Sequence, residues 1–277
     1  MKVAALQMVS CLHVDTNLRA AQALIQAAAD QGAELLALPE YFCLMGQRDT
    51  DKLAIQEQAG TGPIQQFLAD AANKYGVWLI GGTLPLVANQ TDKVRNTCLV
   101  FNPQGQQIAR YDKIHLFAFD NATEHYDESR VIESGNTPVA FDLPSRDGHT
   151  WRVGLSVCYD LRFATLYSAL KADVLLVPSA FTYTTGQAHW ETLLRARAIE
   201  NLAYVVAPAQ GGTHANGRRT WGHSMAVDSW GHVMCQHTEG EGIVLADLSM
   251  PQLLKHRQQL PFLDHHKPLM AVQSTAQ

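Results

Sequence analysis

The stretch Trp151 to Phe163, WRVGLSVCYDLRF, decides how this chain is read. Val153, Leu155 and Val157 alternate with the small residues Gly154 and Ser156, the pattern of a buried strand with a helix or a second sheet against it. The apolar run stops at Cys158 and turns polar at once. A thiol at the C-terminal end of a strand, just before a turn, can enter a cleft while the backbone N–H groups that follow point at the same space, ready for an oxyanion. A cysteine is equally a small apolar core residue, and periodicity alone does not separate the two readings.

Upstream of this strand, Lys2 to Val9 reads as a strand and Thr16 to Gln31 as a helix capped by Gly32. Glu34 to Leu38 is a short apolar run ending in Pro39-Glu40, a second strand that closes on a chemically capable residue. Tyr41 to Gly62 is polar and irregular, a loop over a cleft. Pro63 opens a helix through Tyr75. Val77 to Val87 and Asn96 to Phe101 read as strands, and the turn Asn102-Pro103-Gln104-Gly105 returns Gln106 to Tyr111 as a hairpin partner. That hairpin delivers Asp112-Lys113. Phe117 to Asn136 reads as a loop carrying Glu124, Asp127, Glu128 and Glu133.

Downstream, Leu161 to Leu170 and His189 to Asn201 have helical patterns, and Val174 to Val177 is a buried strand. Ala203 to Ala207, Ser224 to Asp228, Val233 to Cys235 and Ile243 to Asp247 read as strands, and Ser249 with Gln252 caps a last helix to about Gln259. Hairpins interrupt the strand–helix alternation twice. A mixed sheet, or two packed sheets with helices outside, follows more naturally than a doubly wound parallel sheet. With no linker, repeat or low-complexity segment, the 277 residues read as one α/β domain with its core over about 2–262 and a polar tail at 263–277 that could pack on a partner subunit.

Composition excludes several functions. A net charge of -5 with no basic stripe argues against nucleic acid as a partner. No apolar stretch reaches membrane-spanning length, and MKVAALQMVSCLHVD reads as a first strand and not as a signal peptide. The five cysteines are odd in number and widely spaced, which fits a reducing cytoplasm. The twelve histidines, His115 and the pair His265-His266 among them, show no metal-ligand spacing, so neither a metal nor a cofactor is expected. Gly81-Gly82 and Gly211-Gly212 lack a phosphate-loop context and read as tight turns or close packing.

Three strand ends or exits thus supply a carboxylate, an amine and a thiol: Glu40, Lys113 and Cys158. A thiol near its free pKa needs a base, and an ammonium stabilises developing negative charge. Spacing does not single this trio out from the other acids and lysines. The motifs do. ALPE around Glu40, RYDKIHLF around Lys113 and SVCYDLRF around Cys158 resemble, in order and spacing, the Glu-Lys-Cys triad of the nitrilase superfamily of carbon–nitrogen hydrolases. The resemblance implies a four-layer α-β-β-α sandwich that commonly dimerises or forms higher homo-oligomers. It implies Cys158 as nucleophile, Glu40 as general base, Lys113 as support for the tetrahedral intermediate and Glu128, in YDES, as a second active-site glutamate. The backbone N–H of Tyr159 would join Lys113 at the oxyanion.

Within that family, PSAFTYTTGQAHWETLLRARAIEN and GRRTWGHSMAVDSWG look most like the branch that hydrolyses deaminated glutathione, a branch similar to the omega-amidases. The partner this implies is a small-molecule amide. An omega-amidase or an N-carbamoyl amino acid hydrolase shares the triad, and a non-catalytic ligand-binding or scaffold protein could keep the fold. Arg162 either pairs with a substrate carboxylate or forms a structural ion pair beneath the site. Phe181, Tyr183 and Thr185 follow the Val174 strand and are candidates for the pocket lining. Where relatives read LRFPEL, this chain reads Leu161-Arg162-Phe163-Ala164-Thr165-Leu166, which puts the start of the next helix in question.

Overall fold

In a computed structural model that describes residues 1–122, 125–265 and 267, the period-two pattern of the first strand sends alternate residues to two different cores. Val3 and Ala5 join one apolar cluster, Ala4 and Leu6 the other. In chain order the first half comprises β1 (Lys2–Gln7), α1 (Val14–Asp30), β2 (Leu35–Ala37), α2 (Asp51–Ala54), α3 (Pro63–Tyr75), β3 (Trp78–Ile80), β4 (Leu84–Val87), β5 (Val94–Phe101) and β6 (Gln107–Asp112). Then follow β7 (Ala118–Asp120), β8 (His125–Asp127), β9 (Val139–Pro144), β10 (Thr150–Leu155), α4 (Ala164–Leu170), β11 (Val174–Leu176), α5 (Tyr183–Asn201) and β12 (Tyr204–Ala207). The last elements are β13 (Gly211–Thr213), β14 (Arg219–Trp221), β15 (Ser224–Val227), β16 (Val233–His237), β17 (Gly242–Asp247) and α6 (Met250–Gln259).

Two sheets form the middle of the molecule. One runs β17-β1-β2-β3-β5-β4 with β6 beside β5, the other β16-β15-β12-β11-β10-β9. Each holds a parallel triplet, β1-β2-β3 in the first and β10-β11-β12 in the second. Helices α1 and α3 cover the first sheet through Ala21, Ile25, Leu68 and Ala72, while α4 and α5 lie on the second through Leu166, Leu170, Trp190 and Leu194. The layers are therefore α-β-β-α, as the resemblance implies. In β10 the alternation has a visible cause. A Cβ on Gly154 would lie 2.9 Å from Leu170 Cδ1, so only glycine lets α4 settle there. Trp151, Val153 and Leu155 stay fully buried in the cluster shared with Val3 and Leu35, at roughly 1.5–3 kcal/mol for each such side chain.

Several expectations are corrected. Val77 to Val87 is two strands and not one. Gly82 breaks it at φ 53°, where a Cβ would meet the Pro39 carbonyl at 2.1 Å, and this close passage braces the loop that carries Glu40. Phe117 to Asn136 is not all loop, because β7 and β8 pair within it; Glu124 lies outside the described residues. The helix expected from Leu161 begins at Ala164, after a 3-10 turn over Cys158–Arg162, so the missing proline and glutamate do not prevent it. Helix α5 starts six residues before His189, since the Thr182 hydroxyl accepts from the Thr185 N–H and caps it. Strands β9, β13 and β14 were not expected. Most of the tail, including His266, lies outside the described residues.

Candidate active site

Glu40 stands three residues past β2, Cys158 three past β10, and Lys113 directly after β6. The first two are thus at the C-terminal ends of parallel strands, the usual place for a site in an open α/β sheet. The fold brings Glu40 and Cys158 to one cavity with Glu128, and buries Lys113 against the two carboxylates. Lys113 Nζ donates to Glu40 Oε1 at 2.9 Å and to Glu128 Oε2 at 2.7 Å, with no exposed surface of its own. Burial opposes its charge, but the Glu128 and Glu40 carboxylates outweigh burial and hold its pKa well above that of an ordinary lysine.

Glu40 is the hub of the cavity. Its Oε1 also accepts from Asn96 Nδ2 at 2.9 Å, its Oε2 accepts from the Ala180 N–H at 3.0 Å, and Cys158 lines the same cavity. Burial raises its pKa, the Lys113 ammonium pulls it back, and Glu128 raises it again; the outcome is above the ordinary value. Burial and then the Glu40 charge push the Cys158 thiol far up, with Lys113 opposing. The thiol therefore keeps its proton at rest, and an ionised Glu40 in the same cavity is a base for it. Glu128 is fully occupied: besides Lys113 it accepts from Tyr41 Oη at 2.6 Å and the Phe117 N–H at 2.7 Å.

The backbone of the thiol turn is held open. Cys158 has φ 50°, a left-handed conformation that costs about 1–3 kcal/mol for a residue with a side chain. The buried carboxylate of Asp160 clamps it. It accepts from the Val157 N–H at 2.9 Å and Tyr111 Oη at 2.6 Å on one oxygen, and from the His115 N–H at 2.9 Å on the other, with His115 Nδ1 at 2.7 Å. Because Tyr111 and His115 flank Lys113 in sequence, the same carboxylate ties the amine's strand exit to the thiol's turn. Burial of Tyr111, and then the Asp160 charge, push its phenol far above the usual range and keep it a donor.

A second cavity diverges from Cys158. Tyr159, read from sequence for its backbone N–H, lines it together with Arg162, Phe181 and Thr185. The Arg162 guanidinium packs over the Tyr159 and Phe181 rings, each 5.6 Å away, and Nη1 lies 3.3 Å from His189 Nδ1. Among the described residues it forms no ion pair, so the structural ion pair beneath the site is not what holds it. Tyr183 turns instead to Arg219 and Trp221. Sequence reasoning missed Asn96, Tyr41 and Asp160, along with Lys52, Arg218 and Arg219 in the first cavity. Asn96 did leave a signal, being a polar residue in the apolar run NTCLVF and only 3% exposed.

An α-β-β-α sandwich with a thiol, an amine and carboxylates gathered at its strand ends has the make-up of an α/β enzyme. Comparison with known proteins narrows this to one family. Residues 2–258 match the model of the carbon-nitrogen hydrolases, and the chain belongs to that family, whose members are enzymes that hydrolyse carbon–nitrogen bonds. It is 41% identical over 268 residues to a deaminated glutathione amidase of Synechocystis sp., covering 95% of this chain and 96% of that protein. It is 36% identical over 251 residues to the omega-amidase NIT2 of Mus musculus, covering 89% of this chain and 88% of that one. Among solved structures, Saccharomyces cerevisiae Nit3, a member of branch 10 of the nitrilase superfamily, superposes with a TM-score of 0.84 at 30% identity, over 94% of each chain.

Proposed function

We propose that this chain hydrolyses the amide bond of a small 2-oxo acid amide through a thioester on Cys158, with deaminated glutathione as the substrate, following the name of the Synechocystis relative. The observation that carries the reading is Lys113 buried between Glu40 and Glu128 beside a neutral thiol. Glu40 takes the thiol proton as sulfur attacks the carbonyl carbon. Lys113 and the Tyr159 backbone N–H receive the oxyanion, at about 3–4 kcal/mol of barrier for such donors. Glu40 returns the proton to the departing amine, and water activated by the same carboxylate then cleaves the thioester to the acid. Glu128 holds Lys113 and Tyr41 in place. Arg162, free of any carboxylate among the described residues, takes the carboxylate of the acyl group, with Phe181 and Thr185 beside it.

The test is steady-state kcat/KM on deaminated glutathione, alpha-ketoglutaramate and an N-carbamoyl amino acid, beside Cys158→Ala. A large preference for the first, lost in the variant, is expected. Preference for the second favours the omega-amidase reading supported by the Mus musculus relative. Appreciable residual activity in Cys158→Ala sinks the nucleophile assignment. Arg162→Lys should lose activity on carboxylate substrates selectively, and an equal loss on a neutral amide counts against that residue's role. We infer further a single domain working as a homodimer or higher homo-oligomer in the cytoplasm. Support comes from the five unpaired cysteines and from exposed Ile199, Leu254 and Leu263 on and after the last two helices. Light scattering checks the assembly state.

A further inference from the structure

The two cavities that meet at Cys158 differ in what they offer a substrate. Both are bounded by Phe117, Ala180 and Thr182, so they are the two directions in which a molecule attacked at Cys158 can extend. Only the larger contains Glu40 and Glu128. The group that protonates the leaving nitrogen has to be within reach of it, so the amine half departs on the Glu40 side and the acyl half lies on the Arg162 side.

The lining of the larger cavity also carries basic groups. Lys52, Arg218 and Arg219 line it, against Asp49 and Asp127. Asp127 is engaged elsewhere, accepting from the Ser129 N–H at 3.0 Å and facing Arg130 at 3.4 Å. Asp49 alone serves two cations, Arg218 Nη2 at 2.7 Å and Lys52 Nζ at 3.7 Å. Among the described residues Arg219 pairs only with the outlying Glu239, at 3.8 Å, and it spreads over the Tyr183 ring. The Lys52 ammonium is 11% exposed, and burial lowers its pKa while Asp49 supports it. Glu40 and Glu128 are more deeply buried than Arg218 and Arg219, which gives the cavity the polarity of a zwitterion whose amine points inward.

We propose that these basic groups, centred on Arg218 and Lys52, form the subsite for the leaving group, and that they select amines carrying a carboxylate, such as a short peptide, over ammonia. The inference rests on the thiol of Cys158 being the reacting group but not on the identity of the acyl half.

It is tested by the rate at which iodoacetamide alkylates Cys158 in the presence of glycylglycine or glycylglycinamide, which differ only in the terminal carboxylate. Glycylglycine should slow alkylation at about a tenfold lower concentration than its amide, the difference one charge-assisted contact makes. Arg218→Gln should erase that difference and Arg218→Lys keep most of it. Asp49→Asn, which frees both cations, should move glycylglycine protection to lower concentration. Equal protection by the two dipeptides, protection by neither, or weaker protection in Asp49→Asn would each overturn the proposal. Protection by glycylglycine in an enzyme that leaves every 2-oxo acid amide intact upholds this subsite while removing the acyl assignment proposed above.

Discussion

Replacing Glu40 by glutamine tests the site where its hydrogen bonds are densest. The carboxylate receives Lys113 and Asn96 on one oxygen and the Ala180 N–H on the other. An amide has one acceptor, so in either orientation its NH2 faces at least one donor. An unpaired buried donor costs about 1–3 kcal/mol, and stability in urea should fall by that much. Loss of a general base costs about 10²–10⁴ in kcat/KM, or roughly 3–5 kcal/mol of barrier. The thiol should respond in the opposite sense. The Glu40 charge is one reason Cys158 keeps its proton, so Glu40→Gln should move the alkaline rise in alkylation to lower pH. A less active enzyme with a more easily ionised thiol is the signature. If kcat/KM stays within about tenfold of the parent, or the alkaline rise does not move, Glu40 is not the base.

Two further outcomes can be checked on the same protein. Burial raises the pKa of Glu40, and its ionised form is the competent one, so kcat/KM should fall on the acid side at a higher pH than an ordinary glutamate would give; an acid limb at or below the ordinary value contradicts the electrostatics. Asp160→Asn places an amide among donors from Val157, Tyr111 and His115, and should cost about 1–3 kcal/mol in a urea melt and lower kcat more than it raises KM.

How much was legible in the sequence follows from where each residue's neighbours come from. Cys158, Glu40 and Lys113 sit in short contiguous motifs, SVCYDLRF, ALPE and RYDKIHLF, and such local patterns survive in a single sequence where periodicity alone did not single the trio out. Gly154 and Ser156 announced a close neighbour, a helix or a second sheet, and at Gly154 the neighbour is Leu170 of α4. The residues that went unnoticed act through distant partners. Lys52, Arg218 and Arg219 lie in segments that read as polar connections, and they reach the cavity only because the β13-β14 hairpin and the Asp49 loop meet there. Asp160 looked like an ordinary turn residue, since nothing local reveals that Tyr111 and His115 will point at it. The division of Val77 to Val87 was hidden for a related reason. The approach of Gly82 to Pro39 is a tertiary contact, and hydrophobicity carries no trace of it.

The arrangement of Lys113 between two carboxylates has a consequence for ionic strength. On the proposed mechanism the proton that leaves Cys158 stays within the Glu40–Lys113–Glu128 cluster while the oxyanion takes up the negative charge, so attack leaves the net charge of the cluster unchanged. The chemical step relocates charge within a buried volume that mobile ions do not enter, whereas the arginines that receive the substrate lie partly open to solvent. Raising ionic strength from about 0.01 to 0.5 M should therefore leave kcat nearly flat while KM climbs, as the screening length shrinks from about 30 Å to a few ångströms. An enzyme built this way would keep its turnover rate through changes in cellular ion content, and would register them only in how readily it captures its substrate.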